Sequence, residues 1–81
     1  HLSDISIYPN PANTILFVKD AVGINKAEII SVVGNVVMTQ SNFNTTRGEA
    51  GIDVSQLPAG MYFLRLTGNG KEVTSRFIIS R

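Results

Sequence analysis

The chain has no cysteine and no tryptophan, three prolines, and a single histidine at position 1. Without cysteine, no disulfide can staple the fold and no thiol can act as nucleophile or metal ligand. With no histidine beyond His1, at a terminus where chains fray, no Ser or Thr has an imidazole general base within reach. The carboxylates Asp4, Asp20, Glu28, Glu49, Asp53 and Glu72 are dispersed, and none falls in the spacing of a calcium loop. No catalytic set, metal site or cofactor is therefore expected. The formal net charge is +1 with the charges scattered, so there is no electrostatic footprint for nucleic acid or an anionic membrane. No apolar run approaches the roughly 18 residues of a membrane-spanning helix. Four Phe and two Tyr are the only aromatics, too few to suggest a flat sugar-stacking platform. Gly68-Asn69-Gly70 precedes a strand pattern rather than a helix N-terminus, which excludes a phosphate cradle. Asn44-Thr45-Thr46 matches a glycosylation sequon and is read as loop polarity.

What is present is a β-branched, alternating sequence. Ile and Val together number seventeen against five Leu, a bias toward strands. At 81 residues the chain fits one small domain, which buries only roughly 60% of the surface its unfolded chain would expose. Strand signals recur about every eight to twelve residues, as in sandwiches and barrels. They predict strands over residues 5–8, 14–19, 26–32, 36–39, 49–54, 61–67 and 71–80. Ile5 and Ile7 share one face, and the second strand puts Leu16 and Val18 on one face and Ile15 and Phe17 on the other. Ala27 with Ile29 and Ile52 with Val54 are the expected inward pairs, and Tyr62, Leu64 and Leu66 line one face with Arg65 opposite. In the last strand Val73, Ser75, Phe77 and Ile79 share one face, with Thr74, Arg76 and Ile78 opposite. Gly34-Asn35 should turn the third strand into the fourth as a hairpin. Residues 40–48 read as the longest and most mobile loop. No helical period is sustained over three turns. The fold class is all-β: a seven-stranded antiparallel immunoglobulin-like β-sandwich. A start at His1 rather than Met suggests a piece of a longer polypeptide, with residues 1–4 as linker or tag remnant and 5–81 as the domain.

Four pieces in order carry a family resemblance: Tyr8-Pro9-Asn10-Pro11-Ala12, the 29–34 strand and turn at Gly34 followed by Val36-Val37, the run from Ile52 through Pro58-Ala59-Gly60-Met61-Tyr62, and the basic-hydrophobic stretch Arg76-Phe77-Ile78-Ile79-Ser80-Arg81. Together they resemble the C-terminal sorting domain of the type IX (Por) secretion system of Bacteroidetes. Such domains often carry an acidic residue before the glycine of the third-strand turn and a basic one after it. This chain has Ser31 and Asn35, so a charge contact at that hairpin is not expected, though the turn is.

The resemblance implies a secretion address. It implies a cargo domain on the N-terminal side in the same chain, transit through the periplasm, and delivery through an outer-membrane translocon with its accessory proteins. A sortase-like cysteine protease would then remove the domain upstream of the first strand and join the cargo to anionic lipopolysaccharide, leaving it at the cell surface or secreted. Residues 76–81 would be the part recognised. The turn residues Tyr8 to Pro11, Gly34 and Pro58 to Gly60 are read chiefly as structural. Tyr8 is expected to pack over the sandwich end, Gly60 to adopt a backbone geometry other residues resist, and Tyr62 to be a core or corner tyrosine with its hydroxyl on a backbone group. They would then serve export by holding the tail in place. On the residues alone, the last strand is either an edge that adds to a partner sheet or a solvated edge whose charges block aggregation. An adhesion or carbohydrate-binding module and a structural spacer are the rival functions. Exchange of the terminal strand between two copies would give a homodimer.

Overall fold

The computed structural model describes residues 6–19, 23–41 and 49–80. Seven strands follow one another: β1 (Ser6–Tyr8), β2 (Ile15–Lys19), β3 (Lys26–Ser31), β4 (Val36–Ser41), β5 (Glu49–Asp53), β6 (Gly60–Gly68) and β7 (Lys71–Ile79). They form two antiparallel sheets, ordered β1-β2-β5 and β4-β3-β6-β7. The chain changes sheet after β2, after β4 and after β5. This is the immunoglobulin-like sandwich that the strand spacing predicts, with no helix among the described residues.

Period-two alternation accounts for the core. Leu16, Val18, Ile52 and Val54 face inward from one sheet, and Ala27, Ile29, Tyr62, Leu64, Leu66, Phe77 and Ile79 from the other, all buried. Ile7, Met38, Ala50 and Leu57 pack around this set half-buried. Ile5 and the segment 42–48 lie outside the described residues, as does the residue 20–22 part of the β2–β3 connection.

Several strand limits differ from the sequence expectation by one residue: β2 starts at Ile15, β5 ends at Asp53, β6 runs from Gly60 to Gly68 and β7 ends at Ile79. The far end of β4 and the end of β3 differ as well. Gln40 and Ser41 belong to β4, because Ala27 and Lys26 of β3 pair with them. Polar composition alone reads these two as loop, whereas the ladder needs only their backbone. At the other end, Val32 leaves β3 for the turn. The register shifts between Ile29 and Ile30, and the turn closes with Gly34 N–H donating to Ser31 O at 2.9 Å and Ser31 N–H to Asn35 O at 2.8 Å. Ser31 Oγ also accepts from Asn35 N–H at 3.3 Å, so uncharged groups close this hairpin.

The β6–β7 hairpin uses a two-residue Asn69-Gly70 loop, both residues at positive φ (51° and 73°), the geometry whose twist matches paired strands. Gly68, just before it, is a close-approach position. A Cβ there would overlap the Gly23 carbonyl oxygen and come within 2.8 Å of Ile24 Cα. The β2–β3 connection therefore lies directly against the backbone of β6, and Asn25 N–H donates to Thr67 O at 3.0 Å beside it. Gly68→Ala should lower stability by about 1–3 kcal/mol, the usual range for forcing atoms into a packed site. Urea unfolding with an unchanged midpoint would contradict this close packing.

Candidate functional site

The segment singled out by the sequence, residues 76–81, forms the end of β7. Strand pleating divides its side chains. Arg76, Ile78 and Ser80 are exposed, while Phe77 and Ile79 are buried at 0% and 1% exposure. Phe77 and Ile79 are thus core residues, and a partner of the folded domain can touch only the alternate set. Arg81 lies outside the described residues.

β7 is held on its inner flank by β6, from Gly60↔Ile79 to Gly68↔Lys71. Tyr62, at the start of β6, donates its hydroxyl to Pro58 O at 2.6 Å and stacks on Phe77 with ring centroids 5.9 Å apart. This is the expected corner tyrosine: one aromatic ties the Pro58-Ala59-Gly60 turn to the β7 core residue. Gly60 itself has φ +151°, a conformation L side chains rarely adopt, with open space around it, so backbone geometry rather than crowding asks for glycine. Gly34, at φ +93°, serves the β3–β4 turn.

The outer flank of β7 is not free at this end. Ile78 N–H donates to Asn10 Oδ1 at 3.1 Å, Ala12 N–H donates to Ile78 O at 2.7 Å, and Ser80 N–H donates to Ala12 O at 2.8 Å. Ala12 and Ile79 form a parallel bridge. The Tyr8-Pro9-Asn10-Pro11-Ala12 turn is therefore a clasp. Both prolines lack an N–H and bias the residue before them to extended geometry, so the segment offers the β7 edge only the Asn10 side chain and the Ala12 backbone. Strand addition at Ile78 to Ser80, one of the two expected uses of this edge, is pre-empted from within the chain. Since both backbone groups of Ile78 point away from β6, antiparallel alternation points those of Glu72, Thr74 and Arg76 outward too. The open edge is confined to that stretch.

Tyr8 departs from its expected place over the sandwich end. It sits opposite Phe17 in the β1–β2 register and stacks on that ring at 5.4 Å, 39% exposed, on the outer face of the three-stranded sheet. Phe17 in turn covers Gly51, its partner on β5.

Charge on the outer face of the four-stranded sheet is organised around Glu28. Arg65, directly opposite on β6, brings both Nε and Nη2 to 2.9 Å of Glu28 Oε1, and Lys26 Nζ lies at 3.9 Å. Among the described residues no three His, Cys, Asp or Glu side chains gather as a metal site. The Asp53 carboxyl, fully exposed at the exit of β5, is held below the ordinary carboxylate range by hydrogen bonds from the Ser55 hydroxyl and the Ser55 N–H, the latter 2.9 Å away. That is a turn device. Sequence reasoning missed the clasping role of Asn10, and it left unassigned the apolar outward residues Ile30, Val36, Met61 and Phe63. The period-two pattern of β6 does place Met61 and Phe63 on the side of Arg65.

Three outcomes follow from this geometry. Asn10→Ala should speed amide hydrogen exchange at Ile78 several-fold with the global fold retained; unchanged exchange would remove the clasp. Tyr62→Phe should cost about 1 kcal/mol, the net value of one hydrogen bond, measured by denaturant unfolding. Because the folded Asp53 value is depressed, its contribution is present above the unfolded value and lost as pH falls through the folded one. Asp53→Asn should flatten that part of the acid stability profile, and an unaltered profile would count against the Ser55 contacts.

The comparison with known families bears on this arrangement. A family model described as a secretion system C-terminal sorting domain matches residues 6–80. No curated protein matches the chain.

Proposed function

Since the chain belongs to the type IX secretion system C-terminal sorting domains, we propose that it is the non-catalytic address by which a cargo on its N-terminal side leaves the cell. A sorting signal of this family serves export to the cell surface or beyond it. In our reading the cargo passes through the periplasm, and the folded sandwich is recognised by the outer-membrane translocon and its accessory proteins. A sortase-like cysteine protease then releases the cargo upstream of β1. The observation that carries this reading is the family match across residues 6–80 of an 81-residue chain.

Recognition is assigned to the exposed members of the 76–81 stretch. Arg76 and Ile78 present a cation and an aliphatic group to solvent, while Phe77, Ile79, Tyr62 and the Asn10–Ala12 clasp fix where they stand. Removing residues 77–81 as a block would delete two core side chains, so point substitutions on the solvent side are the cleaner probe.

Fusing residues 1–81 behind a periplasmic reporter in a Bacteroidetes host should deliver the reporter to the surface or the medium. Retention of the reporter in the periplasm would overturn the proposal. In the same assay Arg76→Glu should reduce delivery, with circular dichroism confirming the fold; undiminished export would remove Arg76 from the recognised surface.

A further inference from the structure

Both outer faces of the sandwich depart from the rule that a solvated sheet face is polar: Tyr8, Ile15 and Phe17 lie on the three-stranded sheet, and a longer apolar set lies on the four-stranded one. On the outer face of the four-stranded sheet, Val36, Ile30, Phe63 and Arg76 stand in register across all four strands, and Met61 pairs with Ile78 in the adjoining row. Val36, Met61 and Ile78 are 40–47% exposed, and Ile30 and Phe63 are half-buried. The rows toward the other end of the same face are ordinary, with Glu28, Arg65, Thr39 and Thr74. The apolar rows lie opposite the core side of their strands, so the sandwich interior does not account for them.

Charge singles out the occupant. Arg65 is satisfied by Glu28 at 2.9 Å. Arg76 is exposed beside Phe63, and among the described residues no carboxylate lies within ion-pair distance of it. An aromatic ring, a methionine and an arginine with no carboxylate partner among the described residues, with Lys and Glu kept to the margin, is the composition of an interface centre rather than of a solvated surface. Edge pairing at Ile78 to Ser80 is closed by the clasp, which leaves side chains, not backbone, to do the binding there.

We infer that this face docks a partner protein through an apolar patch over Phe63, Met61 and Ile78, with an Asp or Glu of the partner paired to Arg76. The inference rests on the sorting reading, under which the partner belongs to the outer-membrane translocon. It extends the recognised surface from one strand to four.

The test uses the isotope-labelled 81-residue chain and purified, detergent-solubilised type IX translocon as the probe. Amide and methyl signals of Ile30, Val36, Met61, Phe63, Arg76 and Ile78 should broaden first. Phe63→Ser and Arg76→Glu should each weaken binding by about 10-fold or more, as truncating an interface centre does. Ile15→Ser, on the outer face of the other sheet, should leave binding unchanged. Broadening centred on Tyr8, Ile15 and Phe17 instead would overturn the face assignment while the sorting reading stands. Broadening of the same face with rising concentration of the chain alone would make a second copy the occupant and overturn the heterologous partner. Absence of binding, with Phe63→Ser and Arg76→Glu reporters exported normally, would also overturn it. Failure of the unmodified reporter to leave the periplasm is the separate result that would sink the sorting reading itself.

Discussion

The contact on which the arrangement depends is the grip of the first turn on the last strand. Asn10 and Ala12 leave β1 of the three-stranded sheet and, before the chain enters β2 of that same sheet, bind Ile78 and Ser80 at the edge of the other. Three hydrogen bonds, each of about 0.5–1.5 kcal/mol net, are modest energy. Their leverage comes from position. β7 has only β6 as a full neighbour, and its far end would otherwise be an unprotected edge. The clasp joins one end of the chain to the other across both sheets, in a domain with no disulfide to do so.

The grip also fixes which side chains at this end of the strand face solvent. With β6 on one flank and the clasp on the other, the end of β7 cannot rotate, so the assignment of Phe77 and Ile79 to the interior and Arg76 and Ile78 to solvent is enforced. Tyr62 adds a second restraint from within, stacking on Phe77 while its hydroxyl holds the Pro58 carbonyl. The turns that carry the family resemblance at Tyr8–Pro11 and at Pro58–Gly60 therefore converge on the same strand, although some fifty residues separate them in sequence. Their common product is a fixed presentation of two solvent-facing side chains.

Period-two alternation made much of the inside of the sandwich legible. Ala27 with Ile29 and Ile52 with Val54 face the core as expected, and the face shared by Tyr62, Leu64 and Leu66 is the buried one. In β2 both faces are apolar, so alternation separates Leu16 and Val18 from Ile15 and Phe17 without deciding which pair is inside. The corner tyrosine was legible too, by analogy with the tyrosines that brace the corners of other sandwiches; its particular partner, the Pro58 carbonyl, was not. What spacing cannot express is which segment covers a sheet edge. Asn10 and Ile78 are 68 positions apart, and nothing periodic links them. Tyr8 escaped for a related reason: whether it caps the sandwich end or lies flat on Phe17 depends on the β1–β2 register, which sequence leaves loose in a three-residue strand. Gln40 and Ser41 were obscured because ladder pairing with β3 does not require apolar side chains.

Edge protection and partner binding are commonly in conflict, since a bare strand edge binds indiscriminately. Here they are separated in space. Between Ile78 and Ser80 the backbone is already paired, which denies that stretch to any passing strand. At that end of β7 specificity is left to side chains, and under the docking proposal the outward row from Val36 to Arg76 supplies a surface on which shape and one charge are both matched. A partner selected this way reads four strands that are adjacent only in the folded sandwich. An unfolded chain carries the same residues 76–80 but not the row, so recognition by the face makes folding a condition of being read.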